Sequence, residues 1–191
     1  RDYFVYLIEE RQLAQNSCAT ILSGIKFLYV YTLKREWPLL NLVRPKRAKR
    51  VPVVLSIEEV RQILSSVRRE HGRVCLNLIY TCGLRVSEGV GIQVQNIDSA
   101  RMQVIIRSSK GNKDRCVPLT EPMLMQLRQC WPIHRHPIYM FPKRNRGGFE
   151  PDAKSAMTSR TVQVIFSAAV ADSGVTKAAT VHTLRHSWAT H

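Results

Sequence analysis

Acidic residues are scarce in this chain. Against 29 lysines and arginines its 191 residues carry only 14 aspartates and glutamates, a formal net charge of +15 at pH 7. Most cations therefore lack a carboxylate partner, and the surplus creates a field that a polyanion meets at a distance; nucleic acid is the plainest such partner inside a cell. No apolar run reaches the length that crosses a bilayer, and the start does not follow the charged, apolar, small-residue order of a signal peptide. The expectation is a soluble, intracellular protein with no membrane association. Cysteines are few and badly placed for cross-linking: Cys18, Cys75, Cys82, Cys116 and Cys130 are odd in number and scattered, with no C-x-x-C pair. This argues against a disulfide framework and against a zinc ribbon, and the thiols read as small core residues. Internal repeats and low-complexity tracts are absent. The basic residues recur along the whole chain instead of gathering on one amphipathic helix, which favours a groove or wrapped surface over attachment to anionic lipid. The length suits one core plus part of a second, and the start at Arg1 reads as that of an excised piece.

Periodicity predicts a mainly α fold with a small antiparallel β-sheet, an α+β arrangement. YFVYLIEER reads as the end of a helix, and residues 17–35 place Ile21, Leu22, Ile25, Leu28, Tyr29 and Leu33 on one helical stripe, capped by Asn16 or Ser17. The stretch NLVRPKRAKRVP then crowds Arg44, Lys46, Arg47, Lys49 and Arg50 between prolines, as a linker would. Three segments result: a helical piece over 1–45, a basic linker over 46–53 and a larger domain over 54–191. In the last, Ser56 and Glu59 form a capping-box pair ahead of a helix whose face is Ile57, Val60, Ile63, Leu64 and Val67. A second helix over roughly 73–82 should stop at Gly83, and LRVSEGV should start a third. A strand near 92–97, a β-hairpin over 101–119 turning at KGNK, a helix holding Leu124 and Leu127 and a loop over 131–152 come next. A helix over 159–173 with Val162, Ile165, Phe166, Ala169 and Val170 inward ends at Gly174, and a last one is capped by Thr180.

That last helix carries VHTLRHSWAT. His182 and Arg185, three apart, share a helical face, while Leu184 and Trp188 anchor the other side. Three readings compete. Its basic residues are solvated; or His182 and His186 at i, i+4 hold a metal, although Thr183 stands where a zinc protease helix has its glutamate; or Arg185 grips phosphate oxygens while His182 moves a proton. Two other stretches favour the third. GLRVSE puts Arg85 at a helix start, where free N–H groups and the macrodipole favour an anion, and SSKGNKDRCVP puts Lys110 at a hairpin tip.

Taken in order, TCGLRVSEGVGIQVQNID, KGNKDRCVPL and VHTLRHSWATH resemble the motifs of the tyrosine recombinase family, also called phage integrases. The resemblance covers nearly the whole chain, with residues 1–45 like the end of a helical core-binding domain and LSIEEVRQIL like the opening of the catalytic domain. It implies site-specific DNA breakage and rejoining through a 3′-phosphotyrosyl intermediate, with no metal and no cofactor, in a bacterial or phage protein of the cytoplasm and nucleoid. It implies Arg85, Lys110, His182 and Arg185 as catalytic residues and Glu88 as their support. Gly89 stands where the family commonly has a larger apolar residue, so packing near Arg85 is expected to be loosened. The family's nucleophile is a tyrosine beyond the H-x-x-R helix; Tyr3, Tyr6, Tyr29, Tyr31, Tyr80 and Tyr139 all precede His182. The residues as written are thus expected to bind double-stranded DNA without forming the covalent bond. Assembly as a homo-oligomer on DNA is implied as well, and a non-catalytic DNA-binding relative is the alternative. Linker residues Arg44, Lys46, Arg47, Lys49 and Arg50, with Lys113 and Arg115, are the expected contacts to the DNA backbone, and Lys143, Arg144 and Arg146 are further candidates.

Overall fold

The computed structural model describes residues 2–37, 52–109, 113–145, 148–149 and 153–191. The chain divides into two compact units, Arg1–Arg50 and Val51–His191. In the first, α1 (Asp2–Glu9) packs on α2 (Gln15–Phe27), which runs on into a π-helical turn over Leu28–Thr32. Helix α2 starts earlier than its apolar stripe suggests, after Ala14, so Asn16 and Ser17 lie inside the helix and cap nothing. The Asn16 carbonyl instead accepts the Thr20 hydroxyl at 2.9 Å. The π turn adds a residue per turn and rotates the residues after it off the predicted stripe. Leu33, just after the turn, is exposed, and so is Leu28 at its start.

In the second unit, α3 (Ile57–Ser65) opens on the expected capping box: Ser56 Oγ accepts the Glu59 N–H at 3.2 Å and Glu59 Oε2 accepts the Ser56 N–H at 2.7 Å. Val60 and Ile63 point inward, whereas Ile57 in the first turn is exposed. Helix α4 (Glu70–Thr81) begins three residues before the predicted start and is the axis of the unit. Its Val74, Cys75, Leu76, Leu78 and Ile79 are all buried, and α3, α5 (Val86–Val90), α6 (Glu121–Cys130), α7 (Ser159–Ser173) and α8 (Val181–Trp188) each pack against it. Helix α7 begins at Thr158, whose hydroxyl accepts the Thr161 N–H, buries Val162, Phe166 and Ala169, and ends at Gly174 with φ of +75°.

A three-stranded antiparallel sheet, β1 (Ile97–Asp98), β2 (Gln103–Ser109) and β3 (Lys113–Pro118) in that order, covers one side of this bundle. The architecture is mainly α with a small antiparallel sheet, as periodicity predicts. The strand expected over 92–97 is cut to its last residue. Val94–Asn96 form a 3-10 turn, and the Ile92 carbonyl accepts the Met140 N–H at 3.0 Å instead of a sheet neighbour. Between α6 and α7, where a plain loop is predicted, a short hairpin pairs β4 (Arg144–Asn145) with β5 (Gly148–Phe149). Among the described residues no helix is long and apolar enough to cross a membrane.

The two ends of this unit are tied together. Ser187 of α8, fully buried, accepts the Leu55 N–H at 2.9 Å and donates to the Thr183 carbonyl at 2.9 Å. His191 donates from Nε2 to the Leu55 carbonyl at 3.0 Å, which leaves Nδ1 to accept the Tyr80 hydroxyl at 2.7 Å. Ser187→Ala would leave the buried Leu55 N–H without an acceptor, at a cost of about 1–3 kcal/mol. Urea unfolding should show a lower midpoint with an unchanged slope; an unchanged midpoint would mean that the tie contributes nothing.

Candidate active site

The site is built outward from the turn after α4. Gly83 has φ of +56°, and a Cβ there would stand 2.3 Å from Cε3 of Trp188. The position therefore needs glycine twice over, for its left-handed backbone and for the close approach of α8. Leu84 then turns into the core, almost wholly buried, and Arg85 takes the extended conformation that precedes α5.

By sequence, the start of α5 is open to an external anion. It is instead occupied by the chain's own carboxylate, because Glu88 Oε2 accepts the Arg85 N–H at 2.7 Å. The same carboxylate gathers side chains from three elements. Arg85 Nη1 reaches Oε1 at 2.7 Å; Arg115, from β3, forks onto both oxygens with Nη1–Oε1 at 3.2 Å and Nη2–Oε2 at 2.9 Å. From α8, Arg185 Nη1 donates to the Gly83 carbonyl at 2.7 Å and stands 3.7 Å from Glu88 Oε2. Both of these contacts use one nitrogen of Arg185, so its remaining N–H groups have no partner among the described residues.

The electrostatics are set by this crowding. The Glu88 side chain is 9% exposed. Burial alone would raise its pKa, but the Arg85 N–H and the guanidinium groups of Arg115 and Arg85 outweigh burial and hold it at about 2. Three guanidinium charges share one carboxylate, which leaves a surplus of positive charge. The pKa of Arg185 is lowered by burial and by Arg85 and Arg115, against the pull of Glu88. His182, one turn before Arg185, is exposed, and its ring meets that of His186 edge-on at 4.6 Å. Burial of part of the ring, then His186, Arg185 and Arg85, lower its pKa, so it is neutral at pH 7 and can accept a proton. Among the described residues no group of three or more His, Cys, Asp or Glu side chains gathers in the manner of a metal site.

Arg85, Glu88 and Arg185 are thus brought together, with His182 beside them. Lys110 lies outside the described residues, as do Arg44, Lys46, Arg47, Lys49, Arg50 and Arg146. Of Lys113 only the backbone is described, paired with Ser109. Arg115, expected at the DNA backbone, lies on Glu88. Strand alternation carries the signal: Val117, two residues on, is buried, Cys116 between them is exposed, and Arg115 shares the inward face with Val117. The expected loosening at Gly89 does not occur, because Ile79 fills the space; a Cβ on Gly89 would stand 2.4 Å from Ile79 Cγ1. Arg144, one of the further candidates, lies over the Phe149 ring at 4.3 Å and donates to Nδ1 of His71 at 3.2 Å. Burial first, then Arg144, Arg69 and His134, push the His71 pKa down to about 4.

The model of the phage integrase family matches residues 54–191, most of the chain and all of this site. The chain belongs to the phage integrase family, the tyrosine recombinases. A Sinorhizobium fredii protein named "Putative integrase/recombinase y4qK" is 35% identical over 192 residues, covering 100% of this chain and 60% of its own length. An Escherichia coli integrase/recombinase is 30% identical over 223 residues, covering 98% of this chain and 66% of its own. The chain thus spans about two thirds or less of these two relatives. Among solved structures, XerH site-specific recombinase bound to difH substrate in a pre-cleavage complex superposes with a TM-score of 0.71 at 20% identity, over 97% of this chain and 56% of that one. The crystal structure of XerA recombinase gives 0.62 at 23% identity, over 99% of this chain and 66% of that one. Both likenesses establish the recombinase fold.

Glu88 offers a direct test of this electrostatic arrangement. Its folded pKa lies below the ordinary value of 4.5, so its contribution to stability is fully present above pH 4.5 and is lost as pH falls toward 2. Glu88→Gln should therefore destabilise the protein at pH 7 by about 3 kcal/mol. The gap from wild type should close as urea unfolding is repeated at lower pH across that window, and a gap independent of pH would contradict the sharing of one carboxylate by the arginines.

Proposed function

We propose that this chain forms the DNA-binding and phosphate-activating part of a site-specific recombinase, which breaks and rejoins double-stranded DNA by transesterification. The observation that carries this reading is the meeting of Arg85 and Arg185, 100 residues apart in sequence, on one carboxylate with His182 alongside. An attacking hydroxyl adds to the phosphorus of the scissile phosphodiester, and negative charge builds on the non-bridging oxygens. Two guanidinium forks stabilise that charge in the planar, bidentate manner that suits phosphate. Neutral His182 takes the proton of the attacking hydroxyl. Lys110, from the hairpin between β2 and β3, would give a proton to the departing 5′ oxygen as the phosphorus–oxygen bond breaks.

The attacking hydroxyl in the full-length protein is assigned to a tyrosine following residue 191, so that a 3′-phosphotyrosyl bond replaces the broken one. Residues 1–45 would serve as the end of a helical core-binding domain, and residues 46–53 as a basic linker along the duplex to the catalytic domain, 54–191. Arg44, Lys46, Arg47, Lys49, Arg50 and Lys113 would meet backbone phosphates. Several copies would assemble on one site, in the bacterial or phage nucleoid. Solved relatives support the substrate and the assembly: they include a λ integrase dimer bound to a COC' core site and a tetramer bound to a Holliday junction.

Two measurements test the proposal. Binding of the chain to duplex DNA should weaken steeply with salt, with log affinity falling linearly in log salt; a flat response would count against phosphate contacts. The full-length protein on a suicide DNA site should give a covalent adduct, and Arg85→Ala or Arg185→Ala should slow its formation about 100-fold or more. An adduct that forms at the wild-type rate in both variants would overturn the assignment.

A further inference from the structure

We infer that Arg115 is a positioning residue for the arginine pair, acting through Glu88, and is not a contact to the DNA backbone; this rests on the phosphate-activating role proposed for Arg85 and Arg185. Strand geometry places it for that task. Arg115 pairs with Ile106 across the β2–β3 ladder and projects from the face that buries Val104 and Val117. It thereby crosses from the sheet to α5 and takes both oxygens of Glu88 in a fork.

This fork matters most for what it withholds from the neighbours. A carboxylate has roughly four good acceptor positions. The Arg85 N–H, Arg85 Nη1 and the two Arg115 nitrogens make four hydrogen bonds to Glu88. Arg185 Nη1, at 3.7 Å from Oε2, is left outside hydrogen-bonding distance. Without Arg115, acceptor positions open on both oxygens, and a movement of roughly 1 Å would let Arg185 close onto Glu88. Its guanidinium plane would turn away from the phosphate. The Glu88 charge, no longer offset from β3, would also cancel more of the positive field of Arg85 and Arg185. Arg115 therefore keeps the Arg185 fork off the carboxylate and fastens to α5 the hairpin strand that comes after Lys110.

A backbone contact and a positioning residue fail in opposite ways. Loss of a backbone contact weakens DNA binding, lowers the salt slope by about one and leaves the chemistry of bound DNA alone. Loss of a positioning residue leaves affinity nearly unchanged and slows cleavage within the complex. Single-turnover adduct formation by the full-length protein at saturating suicide DNA should fall about tenfold or more in Arg115→Gln. Arg115→Lys, which keeps the charge without the planar fork, should recover only part of the rate. In the Glu88→Gln background, Arg115→Gln should cost little further, since the carboxylate through which it acts is gone. Melting temperatures of all variants separate misfolding from misplacement. Weakened binding with normal cleavage of bound DNA, or rate losses that add in the double variant, would overturn the inference. Absence of any wild-type adduct would instead remove the reading on which it rests.

Discussion

One buried carboxylate holds the candidate site in place. Arg85, Arg115 and Arg185 come from a helix start, a β-strand and the last helix, and like charges so close would drive their elements apart. Glu88 sits between them with its acceptor positions filled, which is why burial fails to protonate it. The compensation is incomplete in charge: a single negative group among three positive ones leaves the cluster attractive to a phosphate while removing enough repulsion for it to fold. A neutral residue at position 88 would leave the repulsion unrelieved, and a second acid would halve the surplus positive charge that attracts the phosphate.

The helical frame explains why the arrangement is precise. Arg185 is aimed by its bond to the Gly83 carbonyl, and Gly83 is pressed against Trp188 one turn further along the same helix. The turn that delivers Arg85 and the helix that delivers Arg185 therefore fix each other. Ser187, on the buried side of that helix, ties it in addition to Leu55 at the entry of the unit. Sequence-distant segments meet here through hydrogen bonds between polar side chains and main-chain groups, which fix position more directionally than the packing of flexible apolar side chains.

Much of this is legible in the sequence, for identifiable reasons. Capping chemistry is local, so the start of α3 at Ser56 and the ends of helices at Gly83 and Gly174 can be read from a few neighbouring residues. The order of GLRVSE and HTLRH resembles that of the family's motifs, and the resemblance points to Arg85, Glu88, His182 and Arg185. The features that escape depend on partners far along the chain. Arg115 looks like any solvated cation until the register of β2 and β3 shows which way it faces, and Gly89 looks like a packing fault until Ile79 is seen to fill its place. Ile92 carries a good strand pattern, yet Met140 claims its carbonyl. The shift in α2 arises from a π turn, which no apolar spacing announces.

The same crowding of cations that would bind a phosphate also prepares the histidine beside it. His182 is exposed enough to meet a substrate, and an isolated imidazole in water would be partly protonated near neutrality. Partial burial first, then His186, Arg185 and Arg85, disfavour the imidazolium form. A neutral ring is the form that can take a proton from an attacking hydroxyl, and the moment a phosphate enters, its negative charge offsets the guanidinium groups and makes protonation of the ring easier. The base would thus strengthen as substrate binds. A lysine in place of either arginine would repel the proton as well but could not hold the phosphate in a planar fork, so the demand for oriented binding and for a neutral base selects arginine at both positions.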